Sequence, residues 1–306
     1  MSGGTKSVGQ RLWARRDARW SLIVVGIYLA AAIWGECVYR ISRQADRTPA
    51  YNRVDETHRY LPPAPLRWGR GEPAYPGVST WAYPLGSDNL GRDVLARVIQ
   101  GVRIAFHVGI ITSLIALPLG VILGCLGGYF GGRTDSVVNW LCATVASMPG
   151  LLFILAVALV VGPGLAGLYF GIGLTTWVGV CRNVRAETIK HRDRAYVQAA
   201  QVLGYSHARI LFRHILPNVL HIVLICFSLR FPSAVATEVF VSFLGIGVQG
   251  EPSWGVMINN ARLRLWQGVW WEMTFVSVAI FALVMSFNQL ADALRDELDP
   301  ALRTGA

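Results

Sequence analysis

The sequence predicts an all-α integral membrane protein with about six transmembrane helices, and three observations predict it. Of 306 residues, 53% are hydrophobic and only 15% are charged, against about 25% charged in ordinary soluble domains. Mean hydropathy is +0.43, more apolar surface than so short a chain can bury in a core of its own, so lipid must cover the rest. The basic residues are also missing from the long apolar runs and gather between them, as membrane topology requires. That placement turns the net charge of +10 away from nucleic acid and toward the lipid bilayer.

A span needs about 20 mostly apolar residues. The runs 21–38, 104–126, 137–161, 165–181, 219–243 and 270–291 qualify, the fourth being short and rich in glycine. Each must be helical, because lipid offers no partner to backbone N–H and C=O groups. Arg15 and Arg16 ahead of the first run, and Ala30, Ala31 and Ala32 within it, are also features of a secretory signal. Trp34 and Glu36 stand where cleavage would want small residues, so a retained helix is expected. Pro118, Pro149, Pro163 and Pro232 are expected to kink or end spans. Trp266, Trp270 and Trp271 suit an interfacial belt where the last span begins. Cys37, Cys125, Cys142, Cys181 and Cys226 contain no CxxC pair and read as small buried hydrophobes, with no metal, disulfide or cofactor implied.

Lysine and arginine set the orientation. Lys6, Arg11, Arg15, Arg16 and Arg19 precede the first span, and Arg182, Arg185, Lys190, Arg192, Arg194, Arg209 and Arg213 lie between the fourth and fifth. Only Arg262 and Arg264 lie between the fifth and sixth. Both termini are therefore expected in the cytoplasm. The chain divides into a cytoplasmic N-terminus with the first span (1–40), an extracytoplasmic segment (41–103), a bundle of the remaining spans (104–292) and a cytoplasmic tail (293–306). In the extracytoplasmic segment, 61–77 has loop composition. Leu90, Val94, Leu95, Val98, Ile99 and Val102 then share one helical face, opposite Arg92, Asp93, Arg97 and Gln100. This predicts an amphipathic helix lying on the outer surface and feeding the second span.

The stretch 195–218 reads as a helix–turn–helix elbow. Gly204 sits where a first helix would end in a left-handed turn. Ser206 can cap a second short helix through His214, and Pro217 fits the first turn of the fifth span. Gln198, Ala199 and Ala200 lie on the first arm, where small residues let another surface come close, and Ile210 lies on the second.

With Ala199, Ala200, Gly204, Ile210, Leu216 and Pro217 the elbow resembles the EAA loop of ABC-importer permeases, with Gln198 in place of the usual glutamate. The runs 85–95, 127–132, 242–249 and 294–300 resemble the DppC/OppC (dipeptide/oligopeptide/nickel) branch of that family, in the same order. The resemblance implies a type I ABC (MetI-like) transmembrane domain with an extra N-terminal helix, in a bacterial inner membrane. It implies a second homologous (DppB/OppB-like) permease, two ATP-binding subunits, an extracytoplasmic solute-binding protein and a peptide cargo, with nickel complexes or other small solutes as the alternative. It makes Gln198, Ala199, Ala200, Gly204, Ile210, His214 and Pro217 the coupling loop. No Gly-x4-Gly-Lys-Ser/Thr is present, so ATP hydrolysis falls to partners and this chain is not expected to be an enzyme. A self-sufficient channel or secondary transporter would show buried relay charges and repeated halves. Here Arg230 stands alone, about 17 Å into the fifth span, with Glu238 further along on a similar face. Arg230 either lines the translocation path and receives a peptide carboxylate, with Glu238 beside that path, or pairs with an acidic group on the second permease.

The topology is testable by labelling. A reporter fused after Ala306 should be active only in its cytoplasmic form, and Ser79→Cys should react with an impermeant thiol reagent from outside. The opposite pattern would overturn six spans with cytoplasmic ends.

Overall fold

The computed structural model describes residues 8–68, 82–162 and 164–298. Pro163, Ser79, most of 61–77 and the last two residues of the 294–300 run lie outside them. The described residues are helical: α1 (Val8–Ala14), α2 (Arg16–Gln44), α3 (Ala64–Trp68), α4 (Val94–Phe130), α5 (Gly132–Ala146), α6 (Gly150–Val161), α7 (Leu165–Arg192), α8 (Ala195–Val202), α9 (His207–Ile210), α10 (Leu216–Phe243), α11 (Trp254–Arg262) and α12 (Trp271–Leu298). Five helical segments are long and apolar enough to cross a membrane alone, and α5 with α6 forms a pair bent by 90°. The run expected as the third span, with Pro149 kinking or ending it, is broken at Ser147–Pro149. Pro149 cannot donate the N–H a continuous ladder needs there. Pro118 and Pro232 stay inside α4 and α10.

Two compact units divide the chain, one of 1–19, 109–234 and 287–306, the other of 20–108 and 235–286. In the first, α4 and α7 run parallel. A Cβ added to Gly120 would lie 2.6 Å from the Val180 Cβ, one on Gly124 2.8 Å from the Cys181 carbonyl, and one on Gly128 2.7 Å from the Thr188 Cβ. These three glycines recur every fourth residue on one helical face, so the two backbones meet with no side chain between them. α5 and α6 run back against α7: Asp135 pairs with Arg185, at 2.6 Å through Nη2, and Gly171 faces Ile154. The bent pair therefore returns the chain to the level where α7 begins, and it counts as one broken crossing. Arg15 Nη1 donates to Asp296 Oδ2 at 2.9 Å. Residues near the two ends of the described chain therefore meet, and counting the bent pair as one crossing gives up to six candidate spans among the described residues.

The second unit overturns the surface-helix expectation. Residues 94–102 form the first turns of the 37-residue α4, and Arg97, Gln100 and Arg103 are as buried as Val98 and Val102. Their partners come from far along the chain. Gln100 donates to the Gly35 carbonyl at 3.0 Å. Arg103 lies 3.4 Å from Glu36 and 3.1 Å from Glu251. Arg97 Nη1 bonds Asn52 at 3.2 Å, and its Nε lies 3.6 Å from Asp88. A polar helical face was legible, but buried ionic partners this distant are not written in its period. The buried Asp88 also explains the motif around it, accepting from the N–H groups of Leu90 (2.8 Å) and Arg92 (2.9 Å) and from Arg92 Nε (2.7 Å). Hydrogen bonds from Thr57 and from His58 hold the Asp55 carboxyl down at about 2. Trp271 does not join an interfacial belt: it is buried and donates to the Ser87 carbonyl at 3.0 Å, while Trp266 is 95% exposed. Cys37 is exposed and the other four cysteines are buried, all of them free.

Overfilling the seam between α4 and α7 should be felt at once. Gly124→Ile costs about 1–3 kcal/mol by overpacking, so the purified chain should melt several degrees lower. Gly26→Ala, with open space around it, should not. A Gly124→Ile protein that melts with the wild type would remove the close approach.

Candidate functional site

The elbow between α7 and α10 is built by local backbone rules. α8 ends at Leu203, and Gly204 takes φ +76°, a conformation that L side chains adopt at a cost of about 1–2 kcal/mol. Gly204 N–H reaches the Gln201 carbonyl at 3.0 Å and Tyr205 N–H the Ala200 carbonyl at 3.1 Å, which closes the helix end with the paired bonds of a Schellman motif. Ser206 then caps α9, its Oγ accepting from the Arg209 N–H at 3.4 Å. The second arm does not stop at His214 as expected. It passes through a π-helical turn, Leu211–Ile215, in which the Leu216 N–H bonds the Leu211 carbonyl, and runs on into α10. The wide turn falls just before Pro217, whose missing N–H would interrupt the ladder in any case.

The elbow has two faces. Val197, Ala200, Ile210, Leu211 and Ile215 are buried against Cys125 and Tyr129 of α4, Val180 and Val184 of α7, and Val219 of α10. The Tyr129 hydroxyl lies 2.9 Å from His207 Nδ1 and accepts from Gln201 Nε2 at 3.5 Å. Outward, Val202 is 88% exposed, Leu203 71% and Phe212 69%, with Gln198, Ala199, Gly204 and Pro217 also open to solvent. The two alanines therefore part company. Ala199 can let another surface approach, while Ala200 packs inward, so the open apolar tip is completed by Val202 and Leu203. Gln198 Nε2 donates to the Asp193 carbonyl at 3.4 Å, an intrachain bond that a glutamate could not donate. His214 stacks on Tyr205 at 5.9 Å.

Arg230 lies apart from the elbow. Its Nη1 and Nη2 donate to the carbonyl and hydroxyl oxygens of Thr176 on α7, and its buried Nε has no partner. No carboxylate among the described residues pairs with it. It lines a cavity of about 590 Å³ between α7 and α10, together with Asn183, Glu187, Lys190, His221 and Arg295. Glu238 does not face an open path. It is 1% exposed in the second unit and accepts from Ser242 Oγ at 2.7 Å. Among the described residues no group of three or more His, Cys, Asp or Glu could hold a metal ion. Tyr129 and Thr176 were not singled out from the sequence. The run 127–132 did mark the place of Tyr129, but its bond to His207 depends on the fold.

Comparison with known proteins agrees with this architecture. Residues 116–304 match the family described as binding-protein-dependent transport system inner membrane component. The dipeptide transport system permease protein DppC of Bacillus subtilis (strain 168) is 37% identical over 229 residues, 74% of this chain and 71% of its own length. The glutathione transport system permease protein GsiD of Pectobacterium atrosepticum is 31% identical over 300 residues, 96% and 92% of the two chains. A chain from a solved structure of the MetNI methionine ABC transporter in inward-facing conformations superposes with a TM-score of 0.50 at 15% identity, covering 66% of this chain and 96% of that one.

If the Tyr129 hydroxyl pins the elbow, Tyr129→Phe removes bonds worth about 1 kcal/mol in all. Amide hydrogen exchange in 201–209 should then quicken about fivefold while α7 keeps its protection. Unchanged exchange would show that apolar packing alone holds the elbow.

Proposed function

The chain belongs to the binding-protein-dependent transport system inner membrane component family, and from that premise we propose that it is one permease subunit of an ATP-driven peptide importer. The two-faced elbow carries the reading. An exposed apolar tip of Ala199, Val202, Leu203 and Phe212 on a rigid support suits a protein partner. That partner is an ATP-hydrolysing subunit, one of two in the assembly, because this sequence has no phosphate-cradling loop of its own. A displacement received at Leu203 and Phe212 passes through Val197, Ile210 and Ile215 to α4, α7 and α10, the helices their side chains touch.

A second homologous permease completes the pathway, and a solute-binding protein delivers cargo from the far side. The excess of arginine and lysine around the elbow and near the N-terminus supports placing the elbow and both chain ends in the cytoplasm of a bacterial inner membrane. The Arg15–Asp296 bond supports one side for both ends. Peptides are the proposed cargo because the similar permeases are named for dipeptide and glutathione transport.

In the importer reconstituted with its partner subunits, Gly204→Val should leave the amount of membrane-inserted chain unchanged. The turn is left-handed, and a β-branched residue there costs about 1–2 kcal/mol or more. Labelled-dipeptide uptake and stimulated ATP hydrolysis should therefore fall together, by roughly tenfold. Full uptake by this variant would make the elbow an ordinary loop.

A further inference from the structure

The cavity between α7 and α10 is more than a gap in the packing. Its lining runs from Lys190, His221 and Arg295 near the elbow to Arg230 deep in the spanning region. Along α7 that is the stretch from Gly179 to Lys190, about 16 Å at 1.5 Å per residue. A volume of about 590 Å³ lies within the range of small-ligand pockets, roughly 300–1,000 Å³. The centre of a packed subunit interface is depleted of charge, whereas this cavity carries charged side chains from mouth to end. Near the mouth Lys190 is paired with Glu187 at 2.9 Å, beside Arg295. At the deep end Arg230 has no such carboxylate among the described residues. A guanidinium has five N–H donors, and Arg230 spends two of them on Thr176. Those two bonds fix the plane of the guanidinium on α7 and leave Nε without a partner. A cation at that depth persists only beside an aqueous path or an anion.

We propose that Arg230, oriented by Thr176, is a carboxylate anchor at the deep end of a polar vestibule opening toward the elbow, and that it holds the carboxylate of the passing cargo. This rests on the permease reading above and adds to it the chemical class of what is held, an anion presenting a planar two-oxygen group. Such a group matches the guanidinium fork. Thr176 is a positioning residue, because it bonds both terminal nitrogens of a guanidinium that lines the cavity and so fixes its plane, while one further N–H on each terminal nitrogen stays uncommitted.

Two measurements test the anchor. In the reconstituted importer, Arg230→Gln should lower uptake of trialanine by about tenfold or more, the loss expected for a charge-assisted hydrogen bond. Uptake of trialanine amide should stay within about twofold of wild type, and Arg230→Lys should recover part of the loss for trialanine by keeping the charge. An equal fall for both peptides, or no fall for either, overturns the anchor. So does loss of subunits or earlier melting of the Arg230→Gln complex, which would mark Arg230 as a socket for an acidic side chain of the second permease. The second measurement does not need peptides to be the cargo. Succinate should raise the melting temperature of the purified wild-type chain, its diamide should not, and neither should act on Arg230→Gln. A wild-type importer that takes up neither peptide while succinate still shifts melting refutes the peptide reading and leaves the anchor standing. No shift with succinate refutes the anchor even where peptides are imported.

Discussion

The close approach of α4 to α7 is the constraint on which the first unit depends. With glycine at 120, 124 and 128, the two backbones meet with no side chain between them. Dispersion and shape then replace the hydrophobic effect, which lipid cannot supply between helices. Because the seam is parallel, α5 and α6 are obliged to carry the chain back, and the broken crossing follows from it. The seam also brings Cys125 and Tyr129 level with Val180 and Val184, and these form the floor against which the elbow packs. Without that floor the elbow would be a loop. With it, the elbow is an extension of three helices.

In the second unit, charge does the corresponding work. Arg97 and Arg103 are buried and matched by Asp88, Glu36 and Glu251. Removing one member of such a buried set costs about 3–5 kcal/mol, because the other is left uncompensated. Pairs of this kind add little net stability over an apolar core, but they specify which segments may meet. Here they tie α2, the start of α4 and the stretch before α11 into one arrangement. A buried Trp254 bonded to the Val98 carbonyl at 3.1 Å fills the same region.

What was legible in the sequence divides along local and distant lines. Five of the six spans, the left-handed residue at Gly204 and the cap at Ser206 each follow from a rule about a few neighbouring residues, and each stands among the described residues. The family resemblance rested on motifs quoted in order, and the match over 116–304 agrees with it. The burial of Ala200 beside an exposed Ala199, the inward turn of Trp271 and the polar face of early α4 were misread or missed. Each depends on which distant segment covers it, and no period records that. The recurrence of glycine at 120, 124 and 128 is also written in the sequence, but its role became evident only from the close approach to α7. Glu238 shows the opposite limit, since a carboxyl in a span suggests a pathway until Ser242 is found bonded to it.

The π turn at Leu211–Ile215 sets a phase between two distant tasks. It holds one residue more than an α-helical ladder needs, so everything beyond it is rotated by about 100° relative to an uninterrupted helix. The exposed Phe212 lies at the start of that turn and the cavity-lining Arg230 lies beyond it. A single-residue deletion there would restore regular hydrogen bonding and still be harmful, because Arg230 would swing away from Thr176 while Phe212 kept its place. Chain length in this short stretch is therefore constrained along with the identity of the buried Leu211 and Ile215. A residue gained or lost here would change how α10 is aimed.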